Sequence, residues 1–315
     1  MIGYTLRRLA QAVIVLLGLT VLVFVLEHMI PGSLARAILG PRASAGEIAA
    51  FDRVNGLDRS VVSQYLTFLS HLLHGNLGYS YRLNQSVDSL VVHELPNDLI
   101  LVGIALFFAL AIAIPLGIAQ AVRRNRALDH VATGVSFLLY SMPSYWLGLL
   151  LIATFAIGVH VFPPEAPQAA SPAGVLADPR ALVLPVVTLT LVNVALFSRY
   201  MRSAAVDTLA QEYVRVARSK GLPARVILTR HVLRNSLVPV VTLLGLSIPA
   251  VLTTGLVVEY VFNFPGLGLT YFNAAVNADY PVELGITVLV GIATVLGSLL
   301  ADLAYAVLDP RVRYV

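Results

Sequence analysis

The chain has 315 residues, of which 58% are apolar and only 12% charged, and its formal net charge is +4. An ordinary soluble domain carries about 25% charged residues, so water is not its main solvent. With no cysteine in the sequence, a disulfide framework and a thiolate metal site are both excluded.

Six runs contain no Asp, Glu, Lys or Arg: Leu9–Leu26, Leu99–Val122, Val131–Pro164, Ala181–Ser198, Leu237–Val258 and Leu284–Ala301. A hydrocarbon core roughly 30 Å thick needs about 20 such residues at 1.5 Å rise. The runs therefore predict an all-α integral membrane protein with six transmembrane helices. Residues 1–30 form the N-terminus and first helix. Arg7, Arg8 and the later Ala35-Arg36-Ala37 resemble a secretory signal with its cleavage site, but the first run is longer than the about 7–15 residues of a signal core. A retained helix is expected.

Residues 31–98 are too long for a connector. Ser44 and Glu47 have capping-box spacing, and Ser60 precedes Val62, Tyr65, Leu66, Leu69, Leu72 and Leu73, which share one helical face before Gly75. The segment is expected to fold as a helical extracytoplasmic cap that could receive a soluble partner. Residues 99–315 form the core with helices two to six. Within it, the loop 199–236 is also expected to be helical, starting near Asp207 or Thr208 and ending at Gly221 and Pro223. Leu209, Tyr213 and Val216 would line one face of that helix. A second short helix is expected from Ala224 to about Leu233. Such an amphipathic basic helix fits equally a membrane surface or a docked protein.

Fifteen of the 21 basic residues fall on one side of this topology, in the N-terminus, the 123–126 turn, the 199–236 loop and the C-terminus. Positive charge is retained in the cytoplasm, so both termini are expected there. The same asymmetry explains the pI of about 9.4 without nucleic-acid binding. Catalytic motifs are missing: no His-Glu-x-x-His, no Gly-x-Ser-x-Gly, and no phosphate-cradling loop, because the one lysine, Lys220, precedes Gly221-Leu222. Among polar groups within the spans, Asn193, Glu27 and Asp302 stand out as functional candidates. Glu27 and Asp302 have simpler readings near the interfaces. Pro115, Pro143, Pro185 and Pro249 mark bends.

The stretch Glu212-Tyr213-Val214-Arg215-Val216-Ala217-Arg218-Ser219-Lys220-Gly221, with His231, Asn235, Ser236 and Pro239 after it, resembles the coupling motif of binding-protein-dependent ABC permeases. Further segments resemble the dipeptide and oligopeptide permease family: Gly56-Leu57-Asp58, Gln64-Tyr65, Gly75-Asn76-Leu77-Gly78, Ser141-Met142-Pro143-Ser144, Phe262 with Pro265-Gly266-Leu267-Gly268, Asp279-Tyr280-Pro281-Val282, and Leu308 to Tyr314. Asn76, Ser33 and Asn97-Asp98 depart from its usual pattern. The resemblance implies a type I ABC importer permease fold in a bacterial inner membrane. It implies four kinds of partner: a second homologous permease, cytoplasmic ATPase subunits that bind ATP-Mg, an extracytoplasmic solute-binding protein, and membrane lipid. The implied cargo is a peptide, with nickel chelates or glutathione-like solutes as alternatives, and the chain itself would be no enzyme and bind no cofactor. Glu212, Tyr213, Ala217, Lys220 and Gly221 would form the ATPase-coupling site, with the small Ala217 allowing close packing and Gly221 a sharp exit. The substrate residues stay unassigned. Against this stand an ATP-independent channel or secondary transporter, which would place charged relays across its spans, and a receptor, which would not need the coupling loop.

Overall fold

A computed structural model describes residues 2–29, 34–40 and 42–308; the side chains of 2–5, 27, 34, 37, 246–254 and 300–308 lie outside the described set. From the N-terminus, α1 (Ile2–His28) leads to the segment expected to form the cap (hereafter the cap), with α2 (Leu34–Leu39), α3 (Ala45–Val54), α4 (Val61–Leu73) and an antiparallel hairpin of β1 (Tyr79–Ser80) and β2 (Gln85–Ser86). The membrane part follows with α5 (Val87–Val122), α6 (Ala127–Ser141), α7 (Ser144–Leu151) continued by π turns Ile152–Gly158, α8 (Pro172–Ala177) and α9 (Pro179–Leu209). After α10 (Glu212–Ser219) and α11 (Ala224–Val226), π turns Ile227–Leu233 run into α12 (Arg234–Val261), then α13 (Leu267–Asn277) and α14 (Tyr280–Leu308).

Among the described residues four helices are long and apolar enough to cross a membrane: Leu6–Leu26 of α1, α5, α9 and Tyr280–Leu299 of α14. The expected third helix is broken. Its two halves, Ala127–Ser141 and Ser144–Gly158, meet at 105° and make a fifth span if counted together. Pro143 explains the break, since it lacks an N–H and drives the preceding Met142 out of helical backbone, to ψ 131°. The last unassigned run, Leu237–Val258, lies in α12. At 36 residues, α5 is about 54 Å long, so its first turns project beyond a bilayer core on the cap side. Helix α9 is central, packed on α5, α6, α7 and α12 through Leu184, Leu189, Phe197 and Met201.

Local chemistry accounts for the motifs at the cap end. Ser44 and Glu47 form the reciprocal capping box of α3, and the hydrogen bonds from Ser44 hold the Glu47 carboxyl below its usual range. A depressed carboxylate stabilises above its ordinary pKa and loses that contribution as pH falls through the lowered value, so acid weakens the N-terminal cap of α3. Gly56 and Gly75 follow the last turns of α3 and α4 with φ +68° and +77°. Each end closes with paired backbone bonds: Gly56 N–H to Arg53 and Leu57 N–H to Asp52, Gly75 N–H to Leu72 and Asn76 N–H to His71. Left-handed backbone at that position favours glycine. Contrary to the single-face expectation for α4, only Tyr65, Leu69 and Leu72 turn inward, while Val62, Leu66 and Leu73 are exposed. The Tyr65 hydroxyl is 2.9 Å from that of Thr20, and Gln64 bonds His28 at 3.0 Å, which lays α4 along the end of α1.

The segment Pro265-Gly266-Leu267-Gly268 is the start of α13, and its orphan donors are met by carboxylates from two other helices. Asp98 of α5 accepts from the Leu267 N–H at 3.2 Å, and Glu259 of α12 accepts from the Gly268 N–H at 2.6 Å. Thr270 donates to Glu94 at 2.8 Å, and Asn97 donates to the Pro265 carbonyl at 3.0 Å. A Cβ on Gly268 would strike the Leu256 backbone and Glu259. Gly268→Ala is therefore expected to cost about 1–3 kcal/mol through overpacking. Gly103→Ala, where a Cβ meets nothing within 4 Å, is the control. Thermal unfolding in mild detergent reads the difference.

Candidate functional site

The segment expected to couple to an ATPase is a separate short helix. Helix α9 runs to Leu209, and a two-residue turn at Ala210-Gln211 precedes α10. Asp207 and Thr208 therefore close α9, and neither opens the new helix as their residue types suggested. The turn resets the helical phase, so the buried face of α10 is Val214 and Ala217, while Tyr213 and Val216 are 42% and 50% exposed. Glu212 in the first turn and Arg218 in the last complement the helix dipole. The C-terminus closes with Gly221 N–H to Arg218 and Leu222 N–H to Ala217, and Gly221 has φ +75°. A Cβ on Gly221 meets nothing within 4 Å. Within this chain, Gly221 is needed for its backbone conformation and not for a close approach.

Val214 and Ala217 pack with Ala121 of α5, Ala205 of α9, and Ile227 and Val232 of the π turns, flanked by Val206, Leu209 and Leu228. Helix α10 thus rests on the ends of two membrane helices and the beginning of a third. The expected second short helix does not end at Leu233, since α11, the π turns and α12 are continuous from Ala224. Widened π turns occur mostly as single-turn bulges at functional positions. Two polar bonds tie the same parts: Asn235 donates to the Tyr213 hydroxyl at 3.0 Å, and Ser236 donates to Thr208 at 3.1 Å.

Of the five coupling residues read from the sequence, Glu212, Tyr213, Lys220 and Gly221 are exposed together on α10 and its exit. Ala217 lies on the opposite, buried face, where its small size serves packing within this chain. The sequence reading missed Asp129. Arg202 of α9 donates to both its oxygens, at 2.6 and 2.7 Å, and the Asn125 N–H donates to it at 3.0 Å. This bidentate pair fixes the α5–α6 turn to α9 beside the α10 seat. The signal was an acid two residues into a helix after an arginine-rich turn, facing a basic residue counted only for topology.

Asn193 is buried but donates to the Leu189 carbonyl one turn back, so it is satisfied by its own helix. Glu27, Asp302 and Pro249 have side chains outside the described residues, as do Ser33 and the segment from Asp309 onward. Among the described residues, no group of three or more His, Asp or Glu could hold a metal ion.

Residues 113–314 match the family described as binding-protein-dependent transport system inner membrane component, and residues 1–102 match the N-terminal family of such membrane components. The chain is 35% identical to the oligopeptide transport system permease protein AppB of Bacillus subtilis, covering all of both chains. It is 33% identical to the dipeptide permease DppB of Escherichia coli K12, covering 100% of this chain and 99% of the relative. It is 34% identical to the glutathione permease GsiC of Salmonella choleraesuis, again covering all of both.

Asp129 is 2% exposed, and an uncompensated buried charge is costly. Arg202→Ala is expected to destabilise by about 1–3 kcal/mol through loss of the charge-assisted bonds, while adding Asp129→Asn recovers part of that loss. A double-mutant cycle on thermal unfolding in detergent measures the coupling.

Proposed function

Because the chain belongs to the binding-protein-dependent transport system inner membrane component family, we propose that it is the permease subunit of an ATP-driven importer of di- or oligopeptides. It works beside a second homologous permease, with cytoplasmic ATPase subunits that bind ATP-Mg and an extracytoplasmic solute-binding protein that delivers cargo. The end carrying α10 and most of the arginines faces the cytoplasm, following the retention of positive charge on that side. The named relatives transport oligopeptides, dipeptides and glutathione, so a short peptide is the shared cargo chemistry.

The observation that carries this reading is the two-faced geometry of α10. Its inner face, Val214 and Ala217, is locked to α5, α9 and the start of α12. Its outer face offers Tyr213 and Val216 as apolar knobs, with Glu212, Arg215, Arg218 and Lys220 around them. A partner that grips the outer face and closes on ATP moves three membrane helices at once, because close-packed interiors transmit displacement with little compression. The chain supplies the path and the lever; hydrolysis belongs to the partner.

ATP-dependent uptake of a labelled dipeptide into liposomes holding the assembled complex tests this. Gly221→Asn tolerates the left-handed backbone and is expected to keep uptake, whereas Gly221→Val loses about tenfold from strain of roughly 1–2 kcal/mol. Gly221→Glu is expected to uncouple uptake without impairing membrane insertion. Uptake that needs no ATP, or unchanged uptake in Gly221→Val and Gly221→Glu, contradicts the reading.

A further inference from the structure

At the cap end a cavity of about 490 Å³ opens between the cap and the membrane helices, within the about 300–1,000 Å³ typical of small-molecule sites. Its floor is the outer end of α1 and the first turns of α14, with Phe24, Leu284 and Val288. Its walls are Phe68 and Leu72 of α4, and Arg59 stands at its rim. The apolar span of α1 ends at Leu26 and that of α14 begins at Tyr280. The floor therefore sits where hydrocarbon gives way to headgroups, and the walls rise above it.

Three observations bear on the occupant. The lining joins apolar side chains to polar ones, among them Arg59, Gln64 and Asn76. The Arg59 guanidinium makes no ion pair or side-chain hydrogen bond among the described residues, so the rim offers an unspent cation. The end of α1 beside the cavity is apolar on its outer side as well: Val21, Leu22, Val25 and Leu26, within its membrane-length apolar stretch, are exposed. A chain of methylenes can enter from the side without crossing water.

We infer that this cavity holds one acyl chain of an anionic phospholipid, with its headgroup phosphate on Arg59 and its chain against the half-buried Phe68, Leu72, Leu77 and Leu284. The lipid fills the gap left between two existing contacts of the cap, Thr20–Tyr65 with His28–Gln64 on α1 and Ser80–Asp279 ahead of α14. A peptide cargo is the competing occupant, and it lacks the lateral apolar entry argument.

Native mass spectrometry of the intact complex from nanodiscs of equal parts phosphatidylglycerol and phosphatidylcholine tests the site. Wild type is expected to retain phosphatidylglycerol in preference. Arg59→Gln should reduce that preference at least tenfold, and Thr67→Trp, which fills the cavity from an exposed position of α4, should remove the bound lipid. Both substitutions are at exposed side chains, and unchanged thermal unfolding of each variant confirms folding. Equal retention of the two lipids in wild type overturns the inference, as does unchanged retention in both variants. Binding of added dialanine that Thr67→Trp abolishes, with no lipid lost, also overturns it in favour of peptide.

Discussion

The seat of α10 is the constraint on which the rest of the molecule turns. Two small apolar side chains, Val214 and Ala217, are buried among residues from α5, α9 and the π turns that open α12. Fully burying a valine side chain is worth about 1.5–3 kcal/mol, enough to fix a helix of only two turns that could not hold its shape alone. The paired backbone bonds at Ala217 and Arg218 and the left-handed Gly221 end the helix where the seat ends. The chain then enters α12 directly through the unbroken π turns, and α12 packs on α9 and α14.

The two ends of the molecule use different chemistry for the same purpose. At the α10 end, apolar packing and one bidentate ion pair, Arg202 with Asp129, join neighbouring helices. At the cap end, Asp98 and Glu259 satisfy the first donors of α13 from two helices far apart in sequence. An unsatisfied buried donor costs about 1–3 kcal/mol, so the connection between α12 and α13 is held firmly. The hairpin follows the same logic, with the Ser80 hydroxyl donating to Asp279 just ahead of α14. Both arrangements leave α9 as the common strut, touching helices that reach either end.

Much of this was legible in the sequence because it is local. Capping boxes, glycines after the last turn and proline breaks are written in a few adjacent residues, and Ser44, Ser60, Gly75 and Gly221 stand where their chemistry requires. What the sequence hid is relational. The start of α10 was misplaced because Thr208 resembles a cap residue, although its hydroxyl is spent on Ser236; that shift grouped Leu209 with Tyr213 and Val216 on one face and hid the pairing of Val214 with Ala217 on the buried one. Asp129 was overlooked because its partner lies 73 positions away. The glycines of the Pro265 motif carried only a family resemblance in the sequence, yet Gly266 is demanded by the side chains of Asp98 and Glu259, and Gly268 by the Leu256 backbone and Glu259, which no spacing rule connects to them.

The native chain has no cysteine, so single cysteines can report contacts of α10 without background from this subunit. The decisive measurement is photo-cross-linking of the assembled complex carrying Val216→Cys or, separately, Val214→Cys, each thiol labelled with benzophenone-4-maleimide, whose photoexcited ketone inserts into C–H bonds of whatever lies against it, with and without a non-hydrolysable ATP analogue. The account predicts that Val216→Cys links to the ATPase subunit, with a yield that changes on nucleotide binding, while Val214→Cys stays unlinked behind α5 and α9. A link from Val214→Cys with none from Val216→Cys, or the absence of any link to an ATPase from either, would contradict it.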